Sequence, residues 1–132
     1  MMDNIKTVWA PRALSLLRII AGLLFLEHGL IKVFAFPHGP GFLHLPPLIE
    51  AAGLIEVIGG VLVAVGLFTR AAAFIMSGEM AVAYFMVAAP RGFLPLVNHG
   101  EPIILYTFIF LYLAAAGAGP WSVDALRSAG AD

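Results

Sequence analysis

The sequence predicts an all-α fold: an integral membrane four-helix bundle with both termini on the cytoplasmic side. Composition comes first. Of 132 residues, 61% are hydrophobic and only 11% charged, against about 45–50% and about 25% in ordinary soluble domains. A chain this short leaves much of its surface exposed when folded, and so few charges cannot cover that surface in water. The second observation is a set of apolar stretches, each close to the roughly 20 residues that cross a hydrocarbon core about 30 Å thick. The third is the proline and glycine clusters that separate them.

The predicted spans cover residues 13–35, 48–68, 71–89 and 102–118 of a single 1–132 domain. Pro37, Pro40, Pro46 and Pro47, with Gly39 and Gly41, break the chain after the first span. Thr69-Arg70 reads as a tight turn joining the second and third. Pro90, Gly92 and Pro95 divide the third from the fourth, and Pro102 suits a first helical turn, where a missing N–H costs nothing. Gly117, Gly119 and Pro120 end the last helix. A cleaved signal peptide is not expected, because the first apolar segment is long and interrupted by Arg18, Glu27, His28 and Lys32.

Orientation follows from the basic residues. With the N-terminus inside, Lys6, Arg12, Arg70 and Arg127 fall on the cytoplasmic side, with Arg18 snorkelling toward it. Trp9 and Trp121 then anchor the inner boundary. The outer loops carry Arg91 and the histidines His38, His44 and His99, with His38 and His44 solvated or interfacial.

Several classes of chemistry are excluded. Net charge is −1, which offers no basic surface for nucleic acid. Cysteine is absent, so disulfides, thiol catalysis and Cys-ligated clusters are out. The carboxylate di-metal bundle needs Glu-x-x-His on two helices, and this chain has none. Hydrolase, phosphate-loop and dinucleotide motifs are missing as well.

What remains is a set of ionisable residues at membrane depth. Glu27 and His28 lie within about 6 Å of the middle of the first span at 1.5 Å rise per residue. Glu56 and Glu79 are similarly deep in the second and third, and Glu101 sits at the mouth of the fourth. Charges at bilayer depth cost about 2.5–3.5 kcal/mol on insertion scales. The carboxylates should therefore face the bundle interior and meet Arg18, Lys32, His28 or a tyrosine. The functional reading is proton-coupled chemistry or transport. The structural one is a polar network that orders the helices. Gly53, Glu56 and Gly60 share one helical face, so either a neighbouring helix or a flat ligand can approach that carboxylate. His28 and Lys32 share a face of the first span, whereas Arg18 and Glu27 are nearly opposite. Met76 and Met80 read as core filling.

These residues carry a resemblance. Arg18-x3-Gly22-x2-Phe25-x2-His28-Gly29-x2-Lys32 is followed by Glu56-x2-Gly59-Gly60 and Gly66-Leu67-Phe68-Thr69-Arg70. Asn98-x-Gly100-Glu101, Tyr106, Gly117-x-Gly119 and Ser122-x-Asp124 complete the order. The pattern resembles the DoxX family of small four-helix bacterial membrane proteins across nearly the whole chain. The resemblance implies a plasma (inner) membrane location and a link to the membrane subunit of a thiosulfate:quinone oxidoreductase. On that basis the expected role is a quinone-interacting subunit of an oxidoreductase complex, with quinone as cofactor. Its partners would be the lipid bilayer and a redox protein or further copies of itself. Carried over, the candidate polar positions are Arg18, His28, Lys32, Glu56, Asn98 and Glu101, while Glu27 and Glu79 come from the burial argument. Glu56 and Glu101 would exchange protons, His28 and Lys32 or Arg18 would hydrogen-bond the ring oxygens, and Gly60 would line the approach. Two alternatives stay open: a small proton-coupled transporter, and a scaffold without catalysis.

Overall fold

The structure, a computed structural model, describes residues 1–39, 41 and 45–131. The expectation for His44 lies outside the described residues. Every regular element among the described residues is helical.

Helix α1, Ala10–Phe34, continues a helical N-terminus that starts at Met2. The expected start at residue 13 is therefore too late. The chain passes Pro11 because Ile5–Trp9 is a π turn, in which the Ala10 N–H donates to the Ile5 carbonyl. Shifting the ladder by one residue relieves the clash between a proline ring and the carbonyl four residues back. The same device recurs at Pro90, where Tyr84–Ala88 is a π turn and Ala89 N–H donates to Tyr84. Helix α1 ends at Ala35 in the left-handed conformation.

Helix α2, Pro47–Val65, starts on its own proline and stops three residues before the expected boundary. Gly66 sits at φ 74°, its N–H reaching Leu62 and Val63, while the Leu67 N–H bonds the Leu62 carbonyl at 2.9 Å. Such a cap requires a residue tolerant of positive φ, and glycine meets that need. The turn is thus Gly66–Phe68. Thr69 and Arg70 are the first residues of α3, Thr69–Ala83, rather than the turn itself. A short helix α4, Pro95–Asn98, precedes α5, Glu101–Ala116, and α6, Val123–Ala129, closes the chain.

Three helical stretches are long and apolar enough to cross a membrane: Met2–Phe34, Pro47–Val65 and Thr69–Arg91. Helix α5 is equally apolar but has 16 residues, roughly 24 Å at 1.5 Å per residue. Leucine, isoleucine, valine and phenylalanine side chains stay exposed along every one of these helices, among them Leu16, Ile20, Ile58, Phe74, Val82 and Phe108. Contiguous apolar surface on this scale marks a lipid-facing exterior.

Two tight pairs build the molecule. Helices α1 and α2 form one, α3 and α5 the other; α2 meets α3 across the Gly66 turn, and α1 and α5 meet through aromatic side chains with their backbones farther apart. The α1–α2 seam is made by glycines seven residues apart on each helix. A Cβ on Gly22 would lie 2.6 Å from the Ala64 nitrogen, and one on Gly60 would lie 2.8 Å from the Leu26 Cα. Small residues allow such backbone approach, and in lipid, packing of this kind is a main source of helix association. Between the pairs, Phe25, Val63, Met76, Phe110 and Leu113 are buried. Phe25 meets the Phe110 ring edge-on at 4.9 Å.

Gly60→Ala is expected to lower stability by about 1–3 kcal/mol through overpacking against Leu26. Gly78→Ala, which meets nothing within 4 Å, should leave stability unchanged or raise it by about 0.5–1 kcal/mol. Thermal unfolding of both variants in one detergent compares them. Equal shifts would mean that the glycine seam does not hold the pair together.

Candidate functional site

Lys32 belongs to the last turn of α1, Glu56 to the middle of α2 and Glu79 to α3, and the packing of three helices brings them together. Lys32 Nζ donates to Glu56 Oε1 at 2.5 Å. Gly53 makes room for this pair: a Cβ there would stand 3.0 Å from the Lys32 Cβ. Glu56 is 1% exposed and the Lys32 side chain 30%, so the ammonium reaches inward from a partly open position. Glu56 Oε2 and both Glu79 carboxyl oxygens are buried without a hydrogen-bond partner among the described residues. Glu79 lies within electrostatic reach of Glu56 and Lys32.

His28 stands one turn before Lys32 and is exposed. Its ring lies 6.1 Å from that of Tyr106 and 6.4 Å from Phe25. Nδ1 is 2.8 Å from the Leu24 carbonyl. A carbonyl only accepts, so Nδ1 carries the proton in that bond and Nε2 is left to act as acceptor or to be protonated. Tyr106 in turn stacks on Phe110 at 5.8 Å. Where α1 and α5 part, a groove of about 370 Å³ opens, walled by Leu17, Ile20, Leu24 and Leu105, with Tyr106 and Glu101 as its polar members. That volume suits a small ring system.

Other predicted residues sit elsewhere. Arg18 does not snorkel; it is fully buried. Its Nε donates to Ala118 O at 2.8 Å, and Nη1 to Val63 O at 2.7 Å and Ala64 O at 2.8 Å. Nη2 donates to Trp121 O. These carbonyls belong to the end of α2, where the helix dipole favours a cation, and to the chain beyond α5. Asn98 is also fully buried. Its amide donates to Gly92 O at 2.9 Å and Tyr84 Oη at 3.3 Å, and its oxygen accepts from Gly100 N–H at 2.8 Å. It brackets the loop before α5. Gly60 is covered by Leu26, so the neighbouring helix takes the approach a flat ligand would need. Glu27 does not face the interior but is exposed. Ala21, Gly22, Phe25 and Gly29 occupy the buried stripe of α1, and at 100° per residue Glu27 falls on the other side.

One important residue was visible in the sequence only as part of a pattern. Asp124 caps α3 from a distance: Oδ1 accepts from Phe68 N–H and Oδ2 from Thr69 N–H, both at 2.9 Å. Burial alone would raise its pKa, but the two amide hydrogen bonds and the charge of Arg127 hold it below the ordinary carboxylate value. Asp124, Arg70 and Arg127 line a second, open cavity of about 740 Å³ at this end of the molecule. The Arg70 guanidinium there is bonded to the Ala114 and Ala115 carbonyls.

The DoxX family model matches residues 13–89, which include Arg18, His28, Lys32, Glu56 and Glu79 and stop short of Asn98 and Glu101. A relative from Haemophilus influenzae, described as "Uncharacterized protein", is 42% identical over 130 residues, 93% of this chain and 96% of its own length. No solved structure matches the chain. With its membrane-length apolar helices, lipid-type exterior and matched sequence, this chain is an integral membrane protein that belongs to the DoxX family.

Proposed function

We propose that the protein is a quinone-interacting subunit of an oxidoreductase complex in the bacterial plasma (inner) membrane. It crosses the bilayer four times, as a single domain, with both termini cytoplasmic. The observation that carries the reading is the Lys32–Glu56–Glu79 cluster, in which an ion pair and a carboxyl without a hydrogen-bond partner among the described residues are held inside the bundle. Such groups in a membrane interior are costly and are kept where protons or ions move.

Reduction of a quinone takes two electrons and two protons. The ring needs hydrogen-bond donors at its oxygens and a protonatable group within reach. The groove between α1 and α5 supplies apolar walls open to lipid, the Tyr106 hydroxyl and the Glu101 carboxyl, with His28 beside Tyr106. Glu101 and His28 would hand protons to the ring, and the buried cluster would resupply them. The chain has no redox-cofactor motif of its own, so electrons come from a partner protein or a soluble donor. Orientation is supported by charge: Arg12, Arg70 and Arg127 lie at the end of the molecule where Asp124 binds the Gly66–Phe68 turn, as basic residues do on a cytoplasmic side. The bacterial relative is consistent with that location.

The test is to purify the protein in mild detergent, extract its lipids and measure quinone by mass spectrometry. Wild-type protein is expected to retain quinone near one per chain, and His28→Ala and Tyr106→Phe to lose most of it. A quinone-free protein that also fails to take up an added quinone analogue would remove this reading. A proton-coupled carrier, which the same buried carboxyls also suit, would instead give pH-gradient-dependent flux in liposomes.

A further inference from the structure

The buried cluster is one positive charge short. Lys32 supplies one, and Glu56 and Glu79 supply two carboxyl groups. Three of the four carboxyl oxygens, Glu56 Oε2 and both of Glu79, are buried without a hydrogen-bond partner among the described residues. Two carboxylates sharing one cation repel each other, and an ionised group taken out of water without a donor is unstable unless it is neutralised.

The two acids are not equivalent. Glu56 Oε1 takes the Lys32 ammonium at 2.5 Å. Glu79 accepts no hydrogen bond among the described residues. The nearby hydroxyls of α3 and α5 bond to backbone: Ser77 Oγ donates to Thr107 O, and Thr107 Oγ1 to Ile103 O. The titratable groups on the surrounding helices are Lys32 and His28 of α1, Glu56 of α2, and Tyr106 of α5, which stacks on Phe25 and Phe110. On its own helix, Tyr84 is engaged by Asn98. His28 is tied to Leu24.

We propose that the cluster binds one proton, carried by the Glu79 carboxyl, while Glu56 remains the fixed counter-ion of Lys32. The exchange is Glu79–COOH to Glu79–COO⁻ plus a proton passed to water. No covalent step or electron is involved. Glu79 is then the site that loads and unloads, and the ion pair sets the field in which it does so. This deepens the reading of the cluster as proton-exchanging, but it does not depend on a bound quinone.

Infrared spectroscopy of the full-length protein in lipid nanodiscs tests it. Glutamate carboxyls are ¹³C-labelled, and samples are prepared at neutral pH in either potassium or sodium buffer. The expected result is a protonated-carboxyl C=O band that shifts with the label and in D₂O. It should vanish in Glu79→Gln, persist in Glu101→Gln and Glu27→Gln, and be the same in both salts. In Glu79→Asp the band should cease to follow the glutamate label, which serves if the glutamine variant does not fold. Absence of the band, its survival in Glu79→Gln, or its loss in sodium alone would overturn the proposal; the last would assign the site to a sodium ion. A band without quinone leaves the proton site standing and the quinone reading fallen. Quinone without a band does the reverse.

Discussion

Arg18→Leu is expected to cost about 3–5 kcal/mol of stability, the range for breaking a buried, hydrogen-bonded charge site. The guanidinium is fully buried and donates to the carbonyls of Val63, Ala64, Ala118 and Trp121. Leucine would fill part of the volume but leave the Ala64, Ala118 and Trp121 carbonyls without the arginine donor, while Val63 O keeps the Gly66 N–H. Each such group costs roughly 1–3 kcal/mol when buried unsatisfied, and in lipid no water is at hand to replace the arginine. Arg18→Lys should recover only part of the loss, because a single ammonium cannot span acceptors on both the α2 terminus and the chain after α5. Thermal and denaturant unfolding in detergent measure this. A drop below about 1 kcal/mol would mean that those carbonyls find other partners. The retained fold, not quinone content, is the readout here.

Lys32→Met should be nearly as damaging, at about 3–5 kcal/mol, because it removes the one cation beside a carboxylate that is 1% exposed. The reverse substitution, Glu56→Leu, should cost less. The Lys32 side chain is 30% exposed and can swing its ammonium toward the interface on a flexible stem. The double variant Lys32→Met/Glu56→Leu should regain most of the stability, since a buried pair replaced whole by apolar groups is often neutral or better. A double-mutant cycle on unfolding free energy reads the coupling directly. Additive single losses would show that the two groups act independently, against the 2.5 Å contact between them.

Much of the fold was legible because it depends on neighbours along the chain. The first three apolar stretches become helices long enough to cross the membrane, since hydrophobic length and proline or glycine punctuation are local properties. Boundaries slipped where backbone geometry intervened. The second helix ends at Gly66 because that residue takes the left-handed cap, and the first runs back to Met2 because a π turn accommodates Pro11. Neither is visible in a hydropathy profile. The fourth helix stops at Ala116, short of the expected 118, because Gly117 turns away at φ 88°.

The site was legible in its parts and not in its grouping. Depth along a span treats Glu27, Glu56 and Glu79 alike, yet Glu27 is exposed while the oxygens of the other two are buried. Arg18 and Asn98 look like ligand-binding polar residues in a sequence, and both turn out to be engaged by backbone groups. Asp124 caps a helix whose start lies 55 residues earlier, a relation no local pattern contains.

By itself, then, the sequence determined that the chain lives in lipid, where its apolar helices end and all but the first begin to within a few residues, and which ionisable groups are carried into the membrane. Only the tertiary structure decided which of those groups meet. Helix formation in lipid is a matter of local hydrophobicity and hydrogen bonds within one segment. The rotation of each helix about its axis depends on volumes facing it from elsewhere. Gly22 and Gly60 let α1 and α2 approach until Leu26 and Ala64 stop them, and that fit turns Lys32 onto Glu56 while it leaves Glu27 outside.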